Sequence, residues 1–258
     1  MENANIVRLL IDNLVRERRM DFRDELLRAA EEYGLELNEQ QIDRFVIYYE
    51  LLIEWNKKMN LTAITAPDEA AVKHMIDSLT CYDEKYFTQG CKVIDVGTGA
   101  GFPGLPLKIF EPSIKLTLLD SLNKRIKFLE TVTAELGLSE VTCIHARAEE
   151  GARQKNLREN FDVAVSRAVA QLPVLLEYTL PFVKKGGYFI ALKGMRYQEE
   201  ADWSKKALEV LGGGNMEIVP KKLPGLDDKR ACIYVEKVAL TPKPYPRKAG
   251  TPEKTPIL

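Results

Sequence analysis

One stretch near the middle of the chain restricts its possible folds more than any other. The run Val93–Val96 is followed by glycines at every second position, Gly97, Gly99 and Gly101, and then by Gly104 and a helical pattern. This order predicts a strand, a tight turn and a helix. Glycine lacks a Cβ and tolerates positive φ, so the turn lets a ligand touch bare backbone, and the helix N-terminus favours an anion. The stretch therefore predicts a ligand-binding loop.

After residue 90, strand-like runs alternate with amphipathic helices. Helices are predicted near residues 104–111, 122–136 and 171–183, and strands at 91–96, 115–120, 140–144, 161–165, 188–193, 215–221 and 230–237. The alternation predicts an α/β fold with a parallel sheet that is covered by helices on both faces. Ligands of such sheets bind at the carboxyl ends of the strands. Polar residues predicted at those ends are Asp95, Asp120, Arg167 and Lys193.

The residues before the sheet carry helical patterns. Three helices are predicted, over residues 5–19, over residues 22–33 and from Asn38, which forms a capping box with Gln41. Another helix begins at Pro67 and places His74, Asp77 and Ser78 on one face. This cluster fits either a local surface group or a set of polar side chains that faces the ligand crevice.

The composition excludes several classes of protein. Cys81, Cys91, Cys143 and Cys232 stand far apart and form no C-x-x-C motif, so we expect no metal site and a reduced, cytoplasmic location. No apolar run approaches the roughly 18 residues of a membrane span, and the N-terminus lacks the pattern of a secretory signal. Apolar and charged contents of 45% and 29% are ordinary for a globular protein.

Charge is distributed unevenly along the chain. Residues 184–258 hold 15 Lys or Arg and 9 Asp or Glu, whereas the net charge of the whole chain is −1. A basic C-terminal third is consistent with contact to a phosphate backbone and equally with an uneven solvated surface.

The residues around the glycines narrow the class of ligand. Gly99-x-Gly101-x-x-Gly104 fits the dinucleotide pattern, but Asp95 directly before the loop would repel a pyrophosphate and attract an ammonium group. Asp120 at the end of the next strand is placed to accept hydrogen bonds from ribose hydroxyls. An ammonium, a carboxylate and a nucleoside occur together in S-adenosylmethionine, which we predict as the cofactor.

Several motifs carry a resemblance to a known family. Asp95-x-Gly97-x-Gly99-x-Gly101 resembles the cofactor loop of class I methyltransferases, whose Rossmann-like fold is a three-layer α/β sandwich with a mostly parallel seven-stranded sheet. The string from Asp95 to Leu107 is similar to that of the bacterial small-subunit ribosomal RNA methyltransferase G, also called glucose-inhibited division protein B. Other matching segments are Asn60–Thr62, His74-x-x-Asp77-Ser78-Leu79, Arg147–Glu149, Ser166–Ala170, Leu192–Gly194 and Tyr245–Pro252.

The resemblance implies methyl transfer from S-adenosylmethionine to N7 of a guanosine in 16S rRNA of the small ribosomal subunit. We expect a monomer that does not bind membranes. The predicted parts are an N-terminal helical extension (residues 1–88), the cofactor-binding methyltransferase domain (89–240) and a Pro-rich basic tail (241–258).

The resemblance also implies which residues bind the cofactor. It assigns Gly97, Phe102, Ala148, Glu149 and Arg167, to which the reasoning from residues adds Asp95, Gly99 and Asp120. No catalytic residue is assigned, and the candidates for orienting the guanine are His74, Asp77 and Lys193. Arg247 and Lys248 are expected to contact the RNA backbone, although a tail of this composition is also consistent with a strap on the domain surface.

Three other functions fit parts of the pattern. A nicotinamide-dependent oxidoreductase would share the glycine motif, but Asp95 counts against it. A methyltransferase of another RNA, a protein or a small molecule would share the cofactor loop. A non-catalytic RNA-binding assembly factor would share the whole set of motifs.

Overall fold

A computed structural model describes the backbone from Glu2 to Leu258 and the side chains from residue 16 onward. The two helices predicted over residues 5–19 and 22–33 form one continuous helix, α1 (Glu2–Tyr33). The apolar face predicted within residues 5–15 lies outside the described side chains.

Seven strands form one sheet in the spatial order β3-β2-β1-β4-β5-β7-β6. All neighbouring pairs are parallel except β5–β7 and β6–β7, which are antiparallel. The strands are β1 (Lys92–Val96), β2 (Lys115–Asp120), β3 (Val141–His145), β4 (Phe161–Arg167), β5 (Val183–Lys193), β6 (Gly213–Lys221) and β7 (Arg230–Lys237). This mostly parallel seven-stranded sheet confirms the predicted fold class.

Helices precede the sheet and connect its strands. They are α2 (Glu39–Met59), α3 (Pro67–Ala70), a π-helical segment (Ala71–Ile76), α4 (Asp77–Leu79), α5 (Gly104–Phe110), α6 (Asn123–Glu135), α7 (Ala148–Gly151), α8 (Leu172–Thr179), a 3₁₀ turn (Leu180–Phe182), α9 (Tyr197–Trp203), α10 (Lys205–Val210) and α11 (Thr251–Lys254).

The sheet separates two hydrophobic clusters, as expected for a three-layer sandwich. One cluster joins α5 and α6 to α1 and α2 and to alternate residues of the strands, such as Val93 and Leu118. The other joins α8, α9 and α10 to the opposite strand face, which includes Ile94 and Leu119. Because side chains alternate along a strand, each central strand supplies both cores.

The N-terminal helices are built into the first of these cores. The predicted capping box starts α2, since Asn38 Oδ1 accepts from Gln41 N at 3.0 Å and Gln41 Oε1 accepts from Asn38 N at 2.8 Å. The ring of Phe22 in α1 stacks on Tyr49 of α2 with 4.1 Å between centroids. The preceding residue of α2, Tyr48, donates its hydroxyl to Ala100 O at 2.5 Å, so α2 is fastened to the glycine loop.

Candidate functional site

The glycine loop runs from the end of β1 to the start of α5 and is anchored on β2. Gly97 N donates to Leu119 O at 2.8 Å. Gly97 has φ +72°, and a Cβ there would lie 2.6 Å from a methyl of Val169. A Cβ at Gly99, with φ +61°, would meet nothing within 4 Å. Only glycine therefore fits at position 97, while the backbone at Gly99 is open to an approaching group.

Asp95 lies beneath this loop. Its side chain is fully buried, and Oδ2 accepts from Gly104 N at 2.8 Å and from Thr98 Oγ1 at 2.7 Å. None of the described residues donates a hydrogen bond to Oδ1. Burial raises the pKa of Asp95 to about 7, although both hydrogen bonds lower it. The structure thus gives Asp95 a place that was not predicted, as the brace between the loop and the first turn of α5.

Asp120 at the end of β2 holds the loop from the other side. Its Oδ2 accepts from Gly99 N at 3.0 Å and from Arg125 Nη1 at 3.2 Å, and Oδ1 accepts from Leu122 N at 2.8 Å. The carboxylate is buried. Asp120 ends β2, as the strand-end pattern predicts, and its role at ribose hydroxyls stays a prediction.

A cavity of about 260 Å³, the glycine-loop cavity, lies over the carboxyl ends of β1 to β4. Four predicted cofactor residues line it, Gly97, Asp120, Ala148 and Glu149. Other lining residues include Arg125, Ala168, Val169, Tyr178 and Glu253. The remaining predicted cofactor residues, Asp95, Gly99, Phe102 and Arg167, are not part of this lining.

Phe102 lies in a stack of three side chains beside the loop. The His74 ring lies parallel to it with 4.6 Å between centroids, and the Arg167 guanidinium carbon is 4.9 Å from the Phe102 ring centre. A guanidinium over an aromatic face is attracted by the ring quadrupole. The stack joins the N-terminal extension, the glycine loop and the end of β4.

His74 is a neutral group in this stack. Its side chain is buried, and Nε2 lies 2.9 Å from Thr62 Oγ1. Burial and the nearby positive charge of Arg167 lower the pKa of His74 to about 4. At neutral pH His74 is therefore an uncharged ring and no source of a proton.

Asp77 lies between two arginines. Its Oδ2 accepts from Arg167 Nη1 at 2.7 Å and its Oδ1 from Arg230 Nη1 at 2.6 Å. Arg167 Nη1 also donates to Lys73 O at 3.1 Å, inside the π-helical segment. Arg167 is therefore also fixed on the backbone of this segment. Asp77 thus fixes Arg167 directly, a contact that the helical spacing alone did not predict.

A second cavity, the cationic cavity, has a volume of about 520 Å³. Six basic residues line it, Lys73, Arg167, Lys193, Arg196, Lys221 and Arg230. Its two acids are both paired, Asp77 with the two arginines and Glu200 with Lys193 at 2.5 Å. The three candidates for orienting guanine, His74, Asp77 and Lys193, all line this cavity.

Ala168 joins the two cavities, since it is part of the wall of both. It directly follows β4 and has φ +55°, a left-handed conformation that is uncommon outside glycine. The chain turns here between Arg167, which lines the cationic cavity, and Val169, which lines the glycine-loop cavity. A group bound in one cavity would thus be next to a group bound in the other.

The tail residue Arg247 does not have the place predicted for it. Its guanidinium donates to both carboxylate oxygens of Glu177, with Nη2–Oε2 at 2.6 Å and Nε–Oε1 at 2.9 Å. Glu177 is fully buried in α8, and a buried carboxylate requires such a partner. Arg247 therefore holds the tail on the domain, which is the surface strap that the tail's composition also allowed. Lys248 is exposed, as an RNA contact would require.

Sequence reasoning missed four basic residues of the cationic cavity, Lys73, Arg196, Lys221 and Arg230, and two of them follow from the strand topology. Arg230 begins β7 and Lys221 ends β6, and the two are paired in register. Because β7 runs antiparallel to its neighbours, its first residue lies at the same sheet edge as the last residues of the parallel strands. That rule, applied to the two C-terminal strands, could have found both residues.

Two features are absent from the part of the chain that the structure describes. No helix there is long and apolar enough to cross a membrane. No group of three or more His, Cys, Asp or Glu side chains from residue 16 onward is arranged to hold a metal ion.

The sequence of this chain is similar to those of known proteins. A family model described as rRNA small subunit methyltransferase G matches residues 41–228. The ribosomal RNA small subunit methyltransferase G of Clostridium botulinum (strain Eklund 17B / Type B) is 51% identical over 238 residues, 92% of this chain and 100% of the relative. The protein of the same name from Desulfitobacterium hafniense (strain Y51) is 53% identical over 225 residues, 87% of this chain and 93% of the relative. The range matched by the family model contains the glycine loop, Asp120, Glu149 and Arg167.

Proposed function

Because this chain belongs to the rRNA small subunit methyltransferase G family, we propose that it transfers the methyl group of S-adenosylmethionine to N7 of a guanosine in 16S rRNA. The observation that carries this proposal is the pair of adjoining cavities, one built around the glycine loop and one lined by cations. The first suits a nucleoside cofactor and the second suits a nucleotide of an anionic chain.

The residues of the glycine-loop cavity fit S-adenosylmethionine. Asp120 is placed for ribose hydroxyls, and Ala148 and Glu149 begin α7, shortly after the end of β3. Asp95 and Arg167 lie outside the lining of this cavity. From beneath the loop, the unpartnered Oδ1 of Asp95 would attract the ammonium group electrostatically. Arg167, at the junction with the cationic cavity, suits the carboxylate, since its Nε and Nη2 are not hydrogen-bonded to the described residues. The sulfonium of the bound cofactor supplies the methyl group.

No general base is required for this reaction. Guanine N7 carries a lone pair and no proton. The protein therefore has to align N7 with the methyl group and exclude water, effects that are worth about 7–11 kcal/mol in well-oriented reactions. The side chains of the cationic cavity are suited to positioning rather than to proton transfer. His74 is neutral, and Lys193 and Asp77 are held in ion pairs.

We propose that the target guanosine enters the cationic cavity and that its N7 points toward Ala168. His74, Asp77 and Lys193 form the wall against which the base is positioned, as the sequence predicts. We propose action as a monomer, with both cavities lined by residues of one chain. The ribosomal substrate also supports the expected location in the cytoplasm.

The deciding experiment is transfer of labelled methyl from S-adenosylmethionine to small ribosomal subunits that lack the modification. We expect label at one guanosine of 16S rRNA, and cleavage chemistry specific for N7-methylguanosine should map to the same position. Asp120→Ala serves as the control with impaired cofactor binding. Label on another base, on large-subunit rRNA or on protein would reject the proposal.

A further inference from the structure

The C-terminal strap, residues 241–258, is held on the domain by specific hydrogen bonds along its length. Arg158 donates to Thr241 O at 2.8 Å and to Tyr245 O at 2.9 Å. Arg153 donates to Pro246 O at 2.6 Å. A proline-rich segment has few amide donors of its own, and here arginines of the domain satisfy its carbonyl groups. The strap therefore follows one defined path.

The ion pair between Arg247 and Glu177 fixes the middle of this path. Glu177 Oε1 accepts from both the backbone N and the Nε of Arg247, at 2.7 and 2.9 Å. Bidentate pairs of this kind are among the strongest hydrogen-bonded contacts in proteins. Because the carboxylate is fully buried, release of the strap would leave an unpaired charge in the core.

Beyond this ion pair, the strap reaches the glycine-loop cavity. Gly250 N donates to Glu149 Oε1 at 2.9 Å, and Glu149 is buried in the wall of that cavity. The turn of helix that follows, α11, places Glu253 in the same wall beside Tyr178. Burial and the carboxylates of Glu149 and Glu253 raise the pKa of Tyr178. Residues far apart in sequence thus meet at the end of the cavity near β3.

We propose that the C-terminal strap is a working part of the cofactor site and that its role is cofactor binding rather than RNA binding. The strap holds Glu149 through Gly250 N and closes the cavity with Glu253. If Asp120 binds the ribose, the adenine lies farther along the sheet, against Ala148 and Glu149. This inference rests on the cofactor assignment in the proposed function.

The principal test is a chain that ends after Ala249 and so lacks residues 250–258. It keeps Arg247, with the new terminal carboxylate two residues away from the ion pair with Glu177, but loses Gly250 N and α11. We expect the dissociation constant for S-adenosylhomocysteine, measured by calorimetry, to rise about tenfold, as for loss of a hydrogen bond to a charged group. Binding of in vitro transcribed 16S rRNA, measured without cofactor, should stay unchanged.

A pair of single substitutions tests the same contact in the full-length chain. Glu149→Ala removes the acceptor for Gly250 N, whereas Glu149→Gln keeps an oxygen that can accept this hydrogen bond. We expect the first variant to bind S-adenosylhomocysteine about tenfold more weakly and the second to bind nearly as the wild type does. In the shortened chain, Glu149→Ala should weaken binding by a smaller factor than it does in the full-length chain, since the contact with Gly250 N is already lost.

Two results would overturn the proposal. One is unchanged affinity for S-adenosylhomocysteine in the shortened chain, and the other is weaker RNA binding with cofactor binding intact. Failure of the unaltered chain to bind S-adenosylhomocysteine would instead reject the cofactor assignment on which the proposal rests, and the proposal with it. The three results differ in the ligand whose binding is affected, S-adenosylhomocysteine or RNA, and in the chain that shows the effect, shortened or unaltered.

Discussion

At the scale of single residues, the site depends on charged groups that are held away from water. Asp95 is the extreme case, since one oxygen braces the loop and the other has no partner among the described residues. A carboxyl group in such a place favours its protonated form. The same placement would make the cofactor's ammonium group a strong partner for it, because the low local dielectric strengthens the attraction.

Because the pKa of Asp95 is raised, we expect this residue to make the stability of the fold depend on pH. Its pKa is raised from 3.8 to about 7, so between these values the folded protein holds a proton that the unfolded chain lacks. The contribution of this group is therefore fully present below pH 3.8 and falls as the pH rises to about 7. Asp95→Asn removes it. We expect the variant, compared with the wild type, to become relatively more stable as the pH rises through this range in melting curves of the ligand-free proteins, and a constant difference would contradict this.

We expect substitution of Arg247 to lower the stability of the fold, although the sequence analysis assigned this residue to RNA binding. Arg247→Ala leaves the carboxylate of Glu177 buried and unpaired, which costs about 3–5 kcal/mol. Lys248→Ala changes an exposed side chain and should alter the free energy of unfolding by less than about 0.5 kcal/mol. Urea unfolding of the two variants checks both values. Equal stability of both variants would show that the buried ion pair contributes little.

At the scale of secondary-structure elements, the helices before the sheet belong to the site. Helix α2 reaches the glycine loop through Tyr48, and the π-helical segment carries His74 and accepts a hydrogen bond from Arg167. The boundary predicted at residue 88 stays a prediction, since the extension and the sheet share one core.

Adjacent tyrosines of α2 allow a matched test of this connection. Tyr48→Phe removes the hydrogen bond to Ala100 O in the loop, whereas Tyr49→Phe removes one of similar length, 2.8 Å, to Thr65 O. Each loss should cost about 1 kcal/mol of stability. Only Tyr48→Phe should also weaken binding of S-adenosylhomocysteine, by a few fold, because only it loosens the loop. Equal affinities in calorimetry would show that the loop keeps its shape without α2.

The elements that the sequence predicted best are those with a local signal. All seven strands lie where alternation predicted them, although β5 begins at Val183 rather than at residue 188. Lys184–Gly187 interrupts the apolar pattern there, and Gly186 has φ +82°. Helices α9 and α10 were missed because each has two turns or fewer, and such short helices carry little periodic signal.

The missed parts of the site depend on contacts between distant residues. Nothing near Glu177 in sequence identifies Arg247 as its partner, although a lone acid in the apolar helix LPVLLEYT required a buried cation somewhere. The triad of Arg167, Asp77 and Arg230 likewise joins three separate segments. The position of Asp120 at the end of β2 could be predicted, because the order of strands and helices along the sequence determines which residues end the strands.

At the scale of the whole molecule, charge is concentrated where the substrate is proposed to bind. Among the described residues, Arg196 and Lys221 have no hydrogen-bonded or ion-paired partner for their side chains, unlike the other basic residues of the cationic cavity. Both belong to the basic C-terminal third. Part of the excess positive charge of residues 184–258 therefore lies at the cationic cavity.

We expect Arg196 and Lys221 to contribute to the salt dependence of RNA binding. Replacing both Arg196 and Lys221 by alanine should weaken binding of 16S rRNA and flatten its dependence on salt, by about 0.7 in the logarithmic slope for each phosphate that is no longer neutralised. Lys205 and Lys206 on α10 are exposed and serve as the control pair. A slope that changes equally in both double variants would assign the effect to net charge and not to the cavity.

The six cations of the second cavity also bear on what happens after the reaction. Methylation at N7 turns a neutral guanine into a cation, while the cofactor loses the positive charge of its sulfonium. If the guanine is bound in the cationic cavity as proposed, the new charge arises beside Arg196 and Lys221, whose side chains have no acidic partner among the described residues, and like charges within one cavity repel. This repulsion would favour release of the methylated base from the same surface that attracts the phosphates of the RNA.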